Sequence, residues 1–494
     1  MKRNIIFRFG VFIALLGFLS YHCCQVFGYY DNIHSPAVFK QFYHMPKDSV
    51  DVIWLGPSST QEFVIPTAMY EETGLALYSL SVGNEPFMAT KGLIKESEKF
   101  QNPKLYMVDI RHLAYTVNDD TYIRRITDNL RWSVNRIEMI HYMIGNLEQY
   151  HGGVTDSKID YYFPLTKYHT RWGELQKEDF GVDDNSFLGY FIKAHHQEFD
   201  GGIIKTRFDA EPRPISEENE KYLDDFLEFC DSFDKTVIFT RTPNCLEEEQ
   251  FAQYNYIQNK IEARGYEVWD LNREVDAMGL DYATDFADPM HTNVYGAQKL
   301  SSYVAKELMR RFDFEDHRSD SRYKVYQEMS ELFHEKLNEI ELRETRDFNE
   351  YLDRLLALDK TEYSIYIAER DIQGWELTPE MTGKLKLLGF DQADILLEHI
   401  YHSFIGIVAN NKVIAQQIGQ DNEPSHYEGS INGQDVSIDS MTWQGGNLAS
   451  IKLGNREYAK NVRGLNFVIV DNKDGMILDS VAFDTHTPEI ICVR

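Results

Sequence analysis

The hydrophobic pattern opens on one long run. After Met1-Lys2-Arg3-Asn4, residues 5 to 27 are apolar apart from Arg8 and the Tyr21-His22 pair. From Phe9 to Phe27 the run is long enough to cross a bilayer as a single helix. Beyond it the period changes. Short apolar runs at 50–55, 76–82 and 105–110 read as strands, with a helical pattern over 86–100 between the last two. The rhythm resumes with a strand at 236–240, a helix over 247–264, a strand at 266–270 and a closing helix over 293–312. Strands alternating with helices predict a parallel sheet covered on both faces. Five such strands fit a doubly wound, flavodoxin-like α/β domain.

Three stretches depart from that rhythm. Residues 112–235 are rich in Tyr, Phe, His and Trp and are too long for a plain connection, so local helices and a lid or wall are expected there. Residues 315–360 mix Glu with Lys and Arg at helical spacing, which predicts a solvated helical connector. From 361 to 494 the chain turns to short strands punctuated by Asn432-Gly433 and Asn472-Lys473-Asp474-Gly475, the pattern of a separate β-rich domain. The expected organisation is therefore an anchor over 1–30, an α/β domain over 31–314, the connector over 315–360 and a small β-sandwich over 361–494.

Charge narrows the setting. The chain carries 50 basic and 79 acidic residues, a formal charge of −29, which repels phosphate backbones and argues against a nucleic-acid partner. Lys2, Arg3 and Arg8 precede or open the apolar run, which predicts a cytoplasmic N-terminus and an extracytoplasmic bulk. Ser20-Tyr21-His22-Cys23 offers neither a small-x-small cleavage site nor a lipobox, so an uncleaved single-pass anchor in the cell membrane is expected. Cys23 and Cys24 lie in the anchor, while Cys230, Cys245 and Cys492 lack metal-ligand spacing. A Cys230–Cys245 disulfide and solitary buried thiols are both compatible with that spacing, and no metal or cofactor is expected.

Candidate chemistry gathers at two places. The first strand ends in Trp54-Leu55-Gly56-Pro57-Ser58-Ser59-Thr60, where a serine either caps a helix or acts as a nucleophile. The last helix is preceded by Asp288-Pro289-Met290-His291. Asp and His three apart on one loop can be presented together, the His taking a proton from a serine while the Asp holds its tautomer. The plainer alternative is an Asp that caps the turn beside an exposed loop histidine. Both motifs fall at or just beyond strand carboxyl ends, where doubly wound sheets collect ligand sites.

In the order and spacing of these motifs the chain resembles the SGNH (GDSL-like) hydrolase superfamily, over roughly residues 48–313. The resemblance implies Ser58 as nucleophile, His291 as base and Asp288 as its orienting acid, with Ser59 as a capping hydroxyl. It also implies an oxyanion hole from the Ser58 amide, a glycine after the second strand and an Asn after the third. Gly83, in Ser81-Val82-Gly83-Asn84, fits the glycine's place. After the third strand stands Asp109-Ile110-Arg111 instead of the family's Gly-x-Asn-Asp, so Asn84 or Arg111 replaces the third donor or the hole is incomplete. Arg111 equally suits a pair with Asp109.

A single anchor before such a domain is similar to the membrane-bound SGNH proteins of surface-polymer acylation, exemplified by the D-alanine transfer protein of teichoic-acid synthesis and the alginate acetylation proteins. That layout implies a cell-surface glycan substrate and a membrane-bound O-acyltransferase as partner, with esterase and transferase chemistry both open. A non-catalytic glycan-binding protein on a degenerate scaffold is the competing expectation. His169, Arg171 and Trp172 are candidate sugar-binding residues, since aromatic faces stack on pyranose rings; an aromatic-rich packed insertion with a surface Arg reads equally well. At the far end, Gly464-Leu465-Asn466 followed by Ser480-Val481-Ala482-Phe483-Asp484-Thr485 resembles the interleukin-like EMT inducer domain over about 361–494, implying a compact β-sandwich. Asp484 and His486 fit a binding edge or a stabilised strand end, and no catalytic role is assigned to them.

Overall fold

The computed structural model describes residues 2–28, 34–115, 119–175, 177–180, 186–371, 377–398, 402–420, 422–487 and 489–494. Contacts divide the chain into two compact units, 1–333 and 334–494.

In the first unit, helix Lys2–Phe27 contains a span, Ile5–Cys24, that is long and apolar enough to cross a membrane. The end of the anchor expected at residue 30 lies outside the described residues. Five parallel strands follow: β1 (Val52–Leu55), β2 (Leu77–Ser79), β3 (Leu105–Asp109), β4 (Thr236–Arg241) and β5 (Val268–Asp270). Their order in the sheet is β2-β1-β3-β4-β5, so the chain reverses direction across the sheet between β1 and β3. Alternate residues of each strand feed opposite cores. Ile53, Leu55, Tyr106, Val108 and Phe239 enter one, and Val52, Trp54, Leu105, Met107 and Ile238 the other. Burial on both faces is why these strands read as unbroken apolar runs rather than alternating ones.

The observed β2 is only three residues, and its apolar run extends further because Leu80 and Val82 stay buried in the core after the pairing ends. The 112–235 stretch holds helices at Asp120–Thr127, Val134–His151, Lys158–Tyr162, Leu165–Tyr168 and Gly201–Thr206. Its last helix, Glu217–Ser232, buries Leu223, Phe226 and Leu227 in the sheet's core and is the crossover from β3 to β4. The excursion proper therefore closes before residue 217. A short hairpin, β6 (Phe286–Asp288) and β7 (His291–Thr292), precedes helix Val294–Arg311. Asn293 caps that helix by accepting from Gly296 N–H.

The second unit contains helix Phe348–Ala357 and two antiparallel sheets. Their strands are β8 (Tyr363–Arg370), β9 (Ser403–Ala409), β10 (Lys412–Gly419), β11 (Ser425–Ile431), β12 (Gln434–Met441), β13 (Leu448–Leu453), β14 (Arg456–Glu457), β15 (Gly464–Asp471), β16 (Ile477–Asp484) and β17 (Ile491–Val493). Six pair in the order β10-β9-β8-β15-β16-β17, and four in the order β11-β12-β13-β14. Tyr366, Ile405, Ile407 and Val468 of the larger sheet share a core with Val436, Ile438 and Ile451 of the smaller. Asn432 and Gly433 both take positive φ (51° and 80°), which fits the tight β11–β12 hairpin their dipeptide predicts.

The charged 315–360 stretch is not a solvated spacer. Tyr326 stacks on Tyr70 in the first unit, with ring centroids 4.9 Å apart. Phe348, Tyr351, Leu352 and Leu355 form core of the second unit beneath Phe467 and Phe483. Their apolar positions recur at helical spacing inside the charge, and burial selects them.

Candidate active site

The first turn is shaped by a close approach. Behind Gly56, a Cβ would stand 2.8 Å from Asp109 Cβ and run into Thr60 Oγ1, so only glycine lets β1 bend into helix Ser58–Phe63 there. Ser58 is the first helical residue and is partly exposed, while Gly56, Pro57, Ser59 and Thr60 are buried. The capping role expected of Ser59 is not observed: the N-cap position is Pro57, and among the described residues no side chain caps the helix and Ser59 Oγ is buried without a partner.

The hairpin supplies the other half. Asp288 and His291 are cross-strand partners in the β6–β7 ladder, with Pro289 and Met290 as the turn. Both turn carbonyls are tied down. Cys245 N–H donates to Pro289 O at 2.8 Å, and Arg111 Nη1 donates to Met290 O. Thr292 Oγ1 donates to Glu62 O at 2.9 Å, which docks the hairpin on the serine helix.

Held this way, His291 Nε2 lies 2.8 Å from Ser58 Oγ, and His291 Nδ1 lies 2.7 and 2.8 Å from the two oxygens of Asp288. The carboxylate fixes the proton on Nδ1 and leaves Nε2 to accept the serine proton. Burial alone would raise the Asp288 carboxyl. The His291 hydrogen bond and charge, the Met290 N–H and Lys193 outweigh it and hold the group well below the usual carboxylate range. Asp288 Oδ1 also accepts Met290 N–H at 2.8 Å, so it caps its turn and orients the histidine at once.

The loop after β2 reaches the same place. Val82 N–H donates to Gly56 O at 3.2 Å, and Gln61 Nε2 to Ser81 O at 2.7 Å, which sets Gly83 beside the serine turn. Glu85 N–H closes the turn onto Val82 O, and Asn84 at its corner has φ of 57°. Arg125 Nη1 holds the Gly83 carbonyl at 3.1 Å, and among the described residues the Gly83 amide has no acceptor.

Arg111 resolves differently from either expectation. Its backbone N–H donates to Asp109 Oδ1 at 2.9 Å, and its charge acts on that carboxyl, but its guanidinium hydrogen bonds go elsewhere. Nη2 meets Thr242 Oγ1 at 2.9 Å, Nη1 takes Met290 O, and the plane lies over the Phe63 ring at 5.4 Å. Buried in this way, Arg111 braces the hairpin. Asp109 is instead paired to Thr242 Oγ1 at 2.8 Å, and burial pushes its carboxyl up.

Two groups at the site escape sequence reasoning. Glu62 Oε2 stands 3.6 Å from His291 Nδ1, and Lys193 Nζ bridges it to Asp288, at 2.5 Å and 3.4 Å respectively. Glu62 follows Ser58 by one helical turn, a spacing that places both on one face and was available in the sequence. Lys193 comes from the excursion, and nothing in its local pattern marks it.

The proposed sugar wall lies elsewhere. Arg171 binds the carbonyls of Phe27 and Gly28 at the end of the apolar helix, and Trp172 packs against Phe27. His169 is exposed, with Nδ1 on Thr166 O at 2.8 Å. A cavity of about 330 Å³ lined by Phe87, Met88, Tyr142 and Tyr222 also contains none of the triad. Cys230 and Cys245 are buried free thiols, each pushed up to about 12 by burial, so the disulfide alternative is not realised.

No protein-family model matches the chain, and no curated protein matches it in sequence.

Proposed function

We propose that this chain is a membrane-anchored, extracytoplasmic serine acyltransferase or esterase acting on O-acyl groups of a cell-surface or secreted polysaccharide. The observation that carries the catalytic part is the continuous relay from Ser58 Oγ through His291 to Asp288. Ser58 Oγ attacks the acyl carbonyl as His291 Nε2 takes its proton, with the Ser58 and Gly83 amides as the proposed oxyanion donors. Asn84, at the corner of the same loop, is the remaining candidate donor. The tetrahedral species expels the donor alcohol, which leaves with the proton from His291. A water or sugar hydroxyl then gives its proton to His291 and attacks the ester, and His291 returns that proton to Ser58 Oγ as the acyl–Ser58 bond breaks.

Transfer rather than hydrolysis is favoured by the N-terminal helix, which keeps the site at a membrane surface beside a membrane-bound acyl donor. A membrane-bound O-acyltransferase is the proposed partner. The second unit, a two-sheet β-domain, is proposed to hold the polymer and raise its local concentration. Acyl-donor assays with and without polysaccharide test the reaction type. Acylated polymer is the expected product, and release of free acid alone, whatever the acceptor, rejects transfer.

A further inference from the structure

The excursion grips the end of the apolar helix. Arg171 Nη1 donates to Phe27 O at 3.1 Å and to Gly28 O, while Nη2 holds Asp179 at 3.0 Å. Trp172 meets Phe27 edge-on, with centroids 4.6 Å apart. Helix Leu165–Tyr168 and the turn Lys177–Phe180 pack against the same helix. Beside this joint four large aromatics are left uncovered: Trp172 is 73% exposed, Phe180 71%, Trp132 52% and Phe163 48%. Trp132 and Phe163 pack on each other at 5.1 Å, with the Arg136 guanidinium 5.0 Å over the Trp132 ring, and Phe163 sits two residues from the helix that touches the anchor. Aromatics gathered on one surface and facing water are unfavourable, and such patches mark interaction sites.

Their height identifies the occupant. The span Ile5–Cys24 has 20 residues, which at about 1.5 Å each covers about 30 Å, the hydrocarbon thickness of a bilayer. Phe27 lies three residues past Cys24, about 4.5 Å along the axis, within the headgroup layer of about 5–7 Å on each side. Trp172 touches Phe27, so its indole stands at the depth where amphipathic aromatic rings prefer to lie.

We propose that Trp132, Phe163, Trp172 and Phe180 form a second membrane contact, seated in the headgroup layer of the bilayer that the N-terminal helix crosses. The helix fixes the domain's distance from the membrane, and the patch fixes its tilt. This inference rests on the helix spanning a membrane and is independent of the serine chemistry.

The test uses the full chain in phospholipid nanodiscs, with p-benzoylphenylalanine placed singly at position 172, 180 or 9. Position 9 lies inside the span and reports insertion. Illumination followed by peptide mass spectrometry should find a gain of one phospholipid on the peptides carrying 172 and 180, as on that carrying 9. Adducts at 9 with none at 172 and 180 overturn the proposal and leave the patch to a protein partner. Absence of adducts at all three overturns it by removing the inserted helix it depends on. Fluorophosphonate reactivity of the same samples reports the catalytic reading separately.

Discussion

Arg111 donates through Nη1 to the carbonyl of Met290, the residue immediately before His291. Through Nη2 it holds Thr242, and its plane rests on Phe63, the last residue of the serine helix. One buried guanidinium thus joins the two segments whose separation sets the Ser58–His291 distance. A lysine is a point charge and cannot serve Met290 and Thr242 as a planar fork does. Arg111→Lys should lower kcat by about 100-fold with KM little changed, as expected of a displacement near 1 Å. Steady-state kinetics on an activated ester check this, and a change confined to KM would place Arg111 in substrate binding instead.

Removing the nucleophile or base should be close to total. Ser58→Ala and His291→Ala are each expected to cost about 10⁴–10⁶ in kcat, and the double variant no more than the worse single, because the pair acts as a unit. Multiplying losses in the double variant would contradict a shared relay.

Asp288→Asn retains the shape but no longer fixes the imidazole tautomer, with an expected loss of about 10⁴ in kcat. Its effect on stability has a defined pH dependence. The folded-state pKa is lowered from the ordinary 3.8, so the carboxylate's contribution is present above that value and fades as pH falls toward the folded pKa. The melting deficit of the variant should therefore shrink on acidification below 3.8. A deficit that grows there reverses the sign.

How much of this was legible in the sequence depends on what each residue must satisfy. The strands were readable because both faces are buried and their side chains are almost all apolar, as at Val52-Ile53-Trp54-Leu55. Ser58, Asp288 and His291 stood out because a tight turn and a two-residue hairpin each place chemistry next to turn residues. Arg111 stayed open between the oxyanion hole and Asp109 because its guanidinium partners, Met290 and Thr242, are 179 and 131 residues away. Trp172 read equally as a sugar platform or as part of a packed insertion, since an exposed aromatic looks alike in sequence whether it faces a glycan or the end of an apolar helix.

Glu85 lies buried under the loop that carries Gly83, its carboxyl near the Gly56 amide and the Thr90 hydroxyl. Burial raises it well above the ordinary 4.5, against the opposing hydrogen bonds from the Val82 amide and the Thr90 hydroxyl and with added repulsion from Asp109. The folded state therefore holds its proton more tightly than the unfolded chain. Its contribution is full below 4.5 and is lost as pH rises through the folded value. The melting temperature of Glu85→Gln relative to the natural protein should climb as pH increases from 4.5. A pH-independent difference would mean that Glu85 binds its proton equally tightly in the folded and unfolded states.

The central claim is that Ser58 is an activated nucleophile, and covalent capture tests it most directly. Full-length protein exposed to a fluorophosphonate, then digested and sequenced by mass spectrometry, should carry the label on Ser58. Labelling should be lost in Ser58→Ala and slowed by several orders of magnitude in His291→Ala. Folded protein that stays unlabelled, or that is labelled equally well without His291, would contradict the account and leave an anchored binding protein on a catalytically silent scaffold.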